Sequence, residues 1–477
     1  MAHSSIIGNF LPVHGRANIE PMINYQEFFR GKKITIMGLG LLGRGIGDAA
    51  FLAKWRAILT ITDLKSEKEL APALRKLRRY KNITYHLGGH KLDDFRNRDF
   101  ILRTANVPLD SPYLKEARQN GIPIEMSASW FVKLSSLKTI GVTGTRGKST
   151  TAHLLHHILI SWFATHARRG EERVRVWLGG NIRGVSTLAL LAKVKKDDIA
   201  VLELDSWQLQ GFGESRLSPQ VAVLTNFMDD HLNYYKGERQ RYWQDKANIF
   251  KHQTAEAYLI VGKQFKNPNA EFSIAHARAH VVWPTSWPRS WKLNLLGAHN
   301  RENASLAKTV AQVLGVDAAS IKRAAATFTG VPGRLELIKT LKVKKIKIYN
   351  DTTSTTPDAL LAALKALGSK RKVVLIAGGQ DKGLPLDLLA KTMPRYVETL
   401  VLLPGSGTER FKAKLKQGKF KTILEVANLP QALGAAVPAA KPGQTILFSP
   451  GFASFGLFKN EFDRGDKFNR RINKFCS

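Results

Sequence analysis

Lys138–Leu155 reads KTIGVTGTRGKSTTAHLL. A short β-branched run passes into glycines, a lysine and hydroxyl side chains, and then into a helical pattern. A glycine turn between a strand and a helix presents backbone N–H groups and the positive helix end to phosphate oxygens. Gly144, Thr145, Arg146 and Gly147 form the expected cradle, with Lys148 reaching the terminal phosphates and Ser149 or Thr150 offering a hydroxyl to Mg²⁺. The glycines fall at Gly141, Gly144 and Gly147, so the general pattern G-x4-G-K-[ST] is not met, because Val142 occupies its first position. The phosphate expected here is that of ATP.

Strands alternate with helical patterns on both sides of this turn, as in parallel sheets with right-handed crossovers. Upstream, KKITIMGLGLLGRGIGDAAFLAK followed by ILTITD gives strand, glycine turn, helix and strand. Downstream come the strands DIAVLELDS, QVAVLTNF and AYLIVG, then the helix HNRENASLAKTVAQVLG. FTGVPGRLELI carries a linker, and IKIYND, KVVLIAGG, TLVLLPG, TILEVA and QTILFSPG are the strands of a third region. The expected boundaries are 1–137, 138–331 and 332–477. Residues before about Tyr25 read as a partly irregular extension.

The 477 residues are 44% hydrophobic, which suits a globular chain of several domains. No apolar run approaches the ~18 residues of a membrane span, and the N-terminus lacks a secretory pattern, so no membrane association and a cytoplasmic location are expected. The single cysteine, Cys476, excludes an internal disulfide framework and a cysteine metal site. The net charge is +35, but it is spread along the chain, apart from a local cluster at Lys339–Lys347. That spread suits a solvated surface better than a nucleic-acid stripe. A basic ATPase acting on nucleic acid is the competing class, with charge alone in its favour.

Carboxylates close two strands of the central region. Glu203 and Asp205 lie in VLELD at the end of an apolar strand, where they can meet a Mg²⁺ that bridges phosphates, and Asp229, Asp230 and His231 follow the next strand. GLGLLG places Gly38, Gly40 and Gly43 as a dinucleotide-type fingerprint, and Asp63 follows Gly43 at the usual spacing of about 20 residues. NAD is the default ligand of such a turn, although any diphosphate, including that of a UDP-sugar, uses the helix end in the same way.

The order of motifs resembles the Mur ligase family: GLGLLG, VTGTRGKST, GGNI, LELDSWQL, DDHLNYY, DKANIF, GAHNRENA, GVPGRLE, YNDTTSTTPDA, GGQDKG and SPGFASFGLFKNEFDRG. The last segment is similar to the D-glutamate-adding branch. The resemblance implies an α/β chain of three domains: Rossmann-like and UDP-sugar-nucleotide-binding at the N-terminus, P-loop and ATP-binding at the centre, Rossmann-like and amino-acid-binding at the C-terminus. It implies ATP-dependent addition of D-glutamate to UDP-N-acetylmuramoyl-L-alanine through an acyl phosphate, with Mg²⁺ as cofactor, in a monomer. Lys148 and Ser149 match the phosphate lysine and the Mg²⁺ hydroxyl, Glu203 a Mg²⁺ ligand, and His231 a histidine near the second metal. Lys246 matches a lysine that most of the family carries carbamylated; an ordinary helical lysine is the alternative. Asn181 matches a residue near the nucleotide substrate, and Asn300, Asn303, Arg334 and Asp351 match ATP contacts. Lys382, Ser454 and Phe458 fall in the glutamate-contacting segments.

Several positions depart from the family pattern. Arg146 stands for an asparagine, Thr353 for a lysine near the amino acid, Thr104–Asp110 for a Ser-Pro-Gly turn, and Asp205 and Trp207 for Ser and Phe. A ligase of the same type that adds another amino acid, such as L-glutamate, is the alternative that Thr353 leaves open; one that uses another acceptor is a further alternative, against which the fingerprint at Gly38 speaks.

Overall fold

The computed structural model describes residues 22–475 except 42, 106, 167–171, 232, 268–270, 369–371, 416–419 and 421. The expected irregular extension up to residue 21, Leu42, Asn106 and Leu232 within the quoted motifs, and Cys476 lie outside the described residues.

Three α/β sheets follow one another. β1 (Lys33–Met37), β2 (Ile58–Asp63), β3 (Ile83–Leu87), β4 (Phe100–Arg103) and β5 (Ile124–Glu125) make a parallel sheet in the order β3-β2-β1-β4-β5. The chain builds outward from β1 on one side and resumes at β4 on the other. That reversal opens a crevice at the carboxyl end of β1, where the glycine turn lies.

β6 (Lys138–Thr143), β7 (Val176–Gly180), β8 (Ile199–Glu203), β9 (Val221–Leu224), β10 (Tyr258–Val261) and β11 (His280–Val282) form the second parallel sheet, β11-β10-β9-β6-β8-β7. Every residue of β8 and β9 is buried, as a parallel sheet covered on both faces requires. β6 lies between β8 and β9, so the phosphate turn that follows it is flanked by the ends of both neighbours.

β12 (Glu336–Leu341), β13 (Ile346–Asn350), β14 (Val373–Ala377), β15 (Val397–Leu402), β16 (Thr422–Glu425) and β17 (Thr445–Phe448) form the third sheet, β12-β13-β17-β14-β15-β16. β12 and β13 pair antiparallel and the other strands parallel. Alternate residues of β14 feed opposite cores: Val373 and Leu375 pack with Leu360, Leu364 and Phe411, whereas Val374 and Ile376 pack with Leu433, Phe468 and Ile472. Two-sided burial makes the strand a continuous aliphatic run. β12 was not expected as a strand; its residues span the end of the linker stretch FTGVPGRLELI and the start of the basic cluster, and pairing with β13 makes them one.

The described chain separates into two compact units. One holds the first two sheets; the other holds the third sheet with His231–Gly237 and Ser290–Glu302. Among the described residues no helix is long and apolar enough to cross a membrane.

Candidate active site

The phosphate turn is built on two glycines that admit no side chain. Gly144 has φ +138° and a Cβ there would stand 1.9 Å from Thr225 Oγ1; Gly147 has φ +84° and its Cβ would stand 2.2 Å from Asn303 Oδ1. The end of β9 holds the turn open. Thr145 N–H donates to the Asn226 carbonyl at 2.9 Å, Arg146 N–H to Asn226 Oδ1 at 2.8 Å, and the Thr225 hydroxyl to the Arg146 carbonyl at 2.5 Å. Arg146 pairs with Asp230 at 2.7 Å, and Ser149 and Thr150 open the helix Lys148–His166 from buried positions.

Two lysines meet beneath this turn. Lys148 Nζ donates to the carbonyls of Gly144 and Thr145, both at 3.0 Å. Lys246 Nζ, on the helix Arg239–Ala247, donates to the same Gly144 carbonyl at 2.9 Å and lies 4.9 Å from the Tyr242 ring centroid. Lys246 is 1% exposed; burial, with the Lys148 charge beside it, pushes its pKa well below the ordinary lysine range. A surface lysine, the alternative reading of this residue, is therefore excluded.

Glu203 ends β8 at 3% exposure, paired in register with Val142 of β6, so its position neighbours the start of the phosphate turn. Asp205 has a different role: it caps the helix Ser206–Glu214, accepting Gln208 N–H at 2.7 Å in a capping box. Asp229 pairs with Arg239 at 2.7 Å. His231 opens the segment His231–Gly237 in the second unit, with φ +55°, and its carbonyl accepts the N–H groups of Tyr234 and Tyr235.

At the first sheet, Gly38, Gly40 and Gly43 all have positive φ. Asp63 serves the turn itself: Oδ2 accepts Leu39 N–H at 2.8 Å and Gly40 N–H at 3.3 Å, while Oδ1 accepts Lys65 N–H at 2.9 Å. Three backbone donors hold the carboxylate that the fingerprint assigns to a ribose. Thr104, at the start of the departing Thr104–Asp110 segment, sits where a Gly38 Cβ would be, 2.4 Å from its Oγ1.

At the carboxyl ends of the third sheet, Asp351 accepts Leu335 N–H at 3.0 Å and the Ser449 hydroxyl at 2.7 Å. Burial raises its pKa to about 7 against the opposing pull of these hydrogen bonds and of Arg334 and Arg464. Lys382 Nζ donates to Thr355 Oγ1 at 3.2 Å, and Ser454 is buried, its carbonyl accepting Phe458 N–H at 3.2 Å. The Phe458 ring packs on the core behind β17 and under Lys467, 5.5 Å from its Nζ. Thr353, the position of the missing lysine, donates its hydroxyl to the Gly333 carbonyl at 2.8 Å, tying its loop to the strand entry. Asn300 donates to the Leu296 carbonyl at 2.8 Å.

Residues 142–286 match the family described as Mur ligase middle domain, and residues 333–452 the family described as Mur ligase, glutamate ligase domain. The UDP-N-acetylmuramoylalanine--D-glutamate ligase of Roseiflexus sp. (strain RS-1) is 36% identical over 93% of this chain and 99% of its own length. The chain belongs to the Mur ligase family. The protein of the same name from Borreliella burgdorferi (strain ZS7) is 34% identical, over 92% of this chain and 97% of its own. Among solved structures, the UDP-N-acetylmuramate-alanine ligase MurC of Thermotoga maritima has a TM-score of 0.60 at 20% identity, covering 93% of this chain and all of its own. The MurF ligase of Thermotoga maritima in complex with ADP has a TM-score of 0.54 at 18% identity, covering 81% of this chain and 97% of that one. These likenesses give the Mur ligase fold.

Among the described residues of this Mur ligase, no three His, Cys, Asp or Glu side chains gather into a preformed metal cage. A buried carboxylate at the end of β8 and a hydroxyl at the start of the neighbouring helix fit Mg²⁺ that arrives with nucleotide phosphates and keeps several waters, because that ion needs few protein ligands. Sequence reasoning gave no role to Arg464. This guanidinium is 1% exposed and donates to the carbonyls of Thr352 at 2.7 Å and Phe452 at 3.1 Å, joining the loops after β13 and β17. Its signal was the Arg-Gly of NEFDRG, quoted as a family mark without a function.

Proposed function

We propose that this Mur ligase adds D-glutamate to UDP-N-acetylmuramoyl-L-alanine in an ATP-driven step of cytoplasmic peptidoglycan precursor synthesis. The convergence of Lys148 and Lys246 on the Gly144 carbonyl carries the phosphoryl-transfer part: two lysine side chains stand at a turn whose N–H groups suit phosphate oxygens. End-to-end likeness to the Roseiflexus and Borreliella relatives supports the choice of D-glutamate and of the nucleotide acceptor.

The chemistry divides into two displacements. A carboxylate oxygen of the alanyl group attacks the γ-phosphorus of ATP, the bond to the bridging oxygen breaks, and ADP leaves. The amine of glutamate then attacks the acyl phosphate carbon, a tetrahedral species collapses, phosphate departs, and the amine loses a proton. Phosphorylation turns a poor electrophile into an acyl donor, and fixed charges on the turn meet the negative charge as it shifts.

Gly144–Thr150 cradles the phosphates, with Lys148 on the terminal one. Ser149 and Glu203 would hold Mg²⁺, which supplies neutralisation of phosphate charge when bound. Lys246, whose pKa burial lowers, is suited to react with CO₂ through its neutral amine, the nitrogen lone pair forming the carbamate and releasing a proton; that carbamate would offer a further anionic oxygen to the metal. His231 would stand near the acyl phosphate; Asn300, Asn303, Arg334 and Asp351 would contact the adenosine part. Gly38, Gly40, Gly43 and Asn181 would receive the UDP-sugar, with Asp63 shaping the turn. Lys382 and Ser454 would hold the glutamate carboxylates, and Phe458 would support that segment from the core. The protein would act as a monomer through three domains, 1–137, 138–331 and 332–477.

The test is phosphate release from ATP and Mg²⁺ with UDP-N-acetylmuramoyl-L-alanine, adding D-glutamate, L-glutamate or no amino acid in parallel. Release that requires D-glutamate is expected; release with L-glutamate alone would move the specificity, and release driven by nucleic acid would overturn the reading.

A further inference from the structure

Arg44 opens the helix Arg44–Lys54 directly after the glycine turn, and none of the roles above belongs to it. Its Nη1 donates to Asn181 Oδ1 at 2.5 Å. A guanidinium has donors only, so the amide of Asn181 turns its oxygen toward Arg44 and its Nδ2 away. Among the described residues, none accepts from that Nδ2. Asn181 itself is fixed through its backbone, its N–H donating to the Glu203 carbonyl at 2.6 Å.

The helix is pressed onto the loop that carries Asn181. A Cβ on Gly47 would stand 2.6 Å from Ser186 Cβ, and one on Gly43 would stand 3.3 Å from Gly184 Cα. One turn beyond Arg44, Asp48 is buried and accepts the hydroxyls of Ser186 at 2.5 Å and Ser127 at 2.8 Å. Those serines also accept backbone N–H groups, Ser186 from Ala189 at 3.0 Å and Ser127 from Leu188 at 3.1 Å. Asp48 therefore fastens the helix at the same place where Arg44 reaches across, and Arg44 and Asp48 share one helix face at the i, i+4 spacing.

We propose that Arg44 is a positioning residue for the nucleotide substrate: anchored by the Asp48–Ser186–Ser127 cluster, it holds the Asn181 amide with Nδ2 presented as a hydrogen-bond donor to a substrate oxygen. This deepens the ligase reading and rests on it. The matching atom belongs to an acceptor, such as a carboxylate, carbonyl or phosphate oxygen of the UDP-sugar, and never to a donor. Asn181 reports on the acceptor substrate and not on ATP, so the two ligands separate a positioning role from a structural one.

Calorimetric binding of UDP-N-acetylmuramoyl-L-alanine and of ATP, each alone, to wild type, Arg44→Met, Arg44→Lys and Asn181→Asp tests this, with a thermal midpoint for each variant. Arg44→Met should weaken the UDP-sugar about tenfold, the worth of one charge-assisted hydrogen bond, and leave ATP within about twofold. Arg44→Lys, which still donates to Oδ1, should recover most of the loss. Asn181→Asp keeps a partner for Arg44 but offers the substrate only acceptors, so it should lose UDP-sugar binding with its thermal midpoint retained. Unchanged UDP-sugar affinity in Arg44→Met, or equal weakening of both ligands in Arg44→Met and Arg44→Lys, would overturn the proposal. Wild type that binds ATP but no UDP-sugar would overturn the ligase reading itself, a result visible before any variant is made.

Discussion

Lys148 and Lys246 share one acceptor, the carbonyl oxygen of Gly144, at 3.0 and 2.9 Å. Burial, with the Lys148 charge beside it, pushes the pKa of the less exposed lysine well below the ordinary range. The pair thus joins a half-buried lysine to a fully buried one whose amine gives up its proton more readily.

Lys148→Ala removes the cation at the phosphate turn. Ligation should fall by about 10²–10³-fold, the usual cost of losing one preorganised donor to transition-state charge. Lys148 is half-buried at the opening of its helix and its amine donates to the turn carbonyls of Gly144 and Thr145, so the thermal midpoint should stay within a few degrees of wild type. Steady-state phosphate release and a melting curve check both halves.

Carbamylation of Lys246 is checked without turnover. Wild type equilibrated with ¹³C-labelled bicarbonate should show a carbamate carbon resonance that Lys246→Ala lacks. The variant should be inactive, and a small carboxylate such as acetate should restore part of its rate by occupying the space the lysine leaves. A wild-type spectrum without that resonance would leave Lys246 acting as an amine.

Gly147→Ala places a Cβ 2.2 Å from Asn303 Oδ1 at a residue with φ +84°. The strain is on the order of 1–3 kcal/mol, enough to reshape a turn without unfolding the sheet beneath it. ATP affinity should drop sharply while circular dichroism stays that of wild type; Gly434→Ala, which meets nothing within 4 Å, is the matched control.

Asp351 makes stability depend on pH. Its folded pKa is raised from 3.8 to about 7, so the folded state keeps a proton that the unfolded chain has released. Its contribution is fully present below the unfolded value and is lost as pH rises through about 7, amounting to about 4 kcal/mol at most across that window. Asp351→Asn removes the titration, so its thermal midpoint should gain on wild type as pH rises from about 5 to about 8. A constant difference between the two proteins across that range would refute the raised pKa.

The strands that flank the two glycine turns were legible because their glycines, aliphatic runs and following helices agree locally. β13 to β17 were legible for the same reason. Glu336–Leu341 was not, since ELIKTL holds three polar residues and becomes a strand through its antiparallel partner. Among site residues, the phosphate turn was read from its glycines, lysine and hydroxyls between a strand and a helix, whereas the roles of Lys246, His231 and Lys382 entered through resemblance. Arg44, Asp48 and Arg464 escaped because each acts through a residue far away in sequence: Asn181, Ser186 and Thr352. Asp63 and Asp205 carried a readable charge, but backbone N–H groups claim it, which only the folded turn reveals.

The position of β17 sets an order on the birth of the protein. This strand lies between β13 and β14, yet it is made after every other strand of its sheet. While the ribosome is still adding residues before 445, β13 and β14 have no strand between them, and Arg464 has not emerged to tie the loop after β13 to the loop after β17. The first two sheets need nothing from that stretch to close. A chain cut short near its end would therefore carry a finished phosphate turn beside a third sheet split in two, its halves left with open edges.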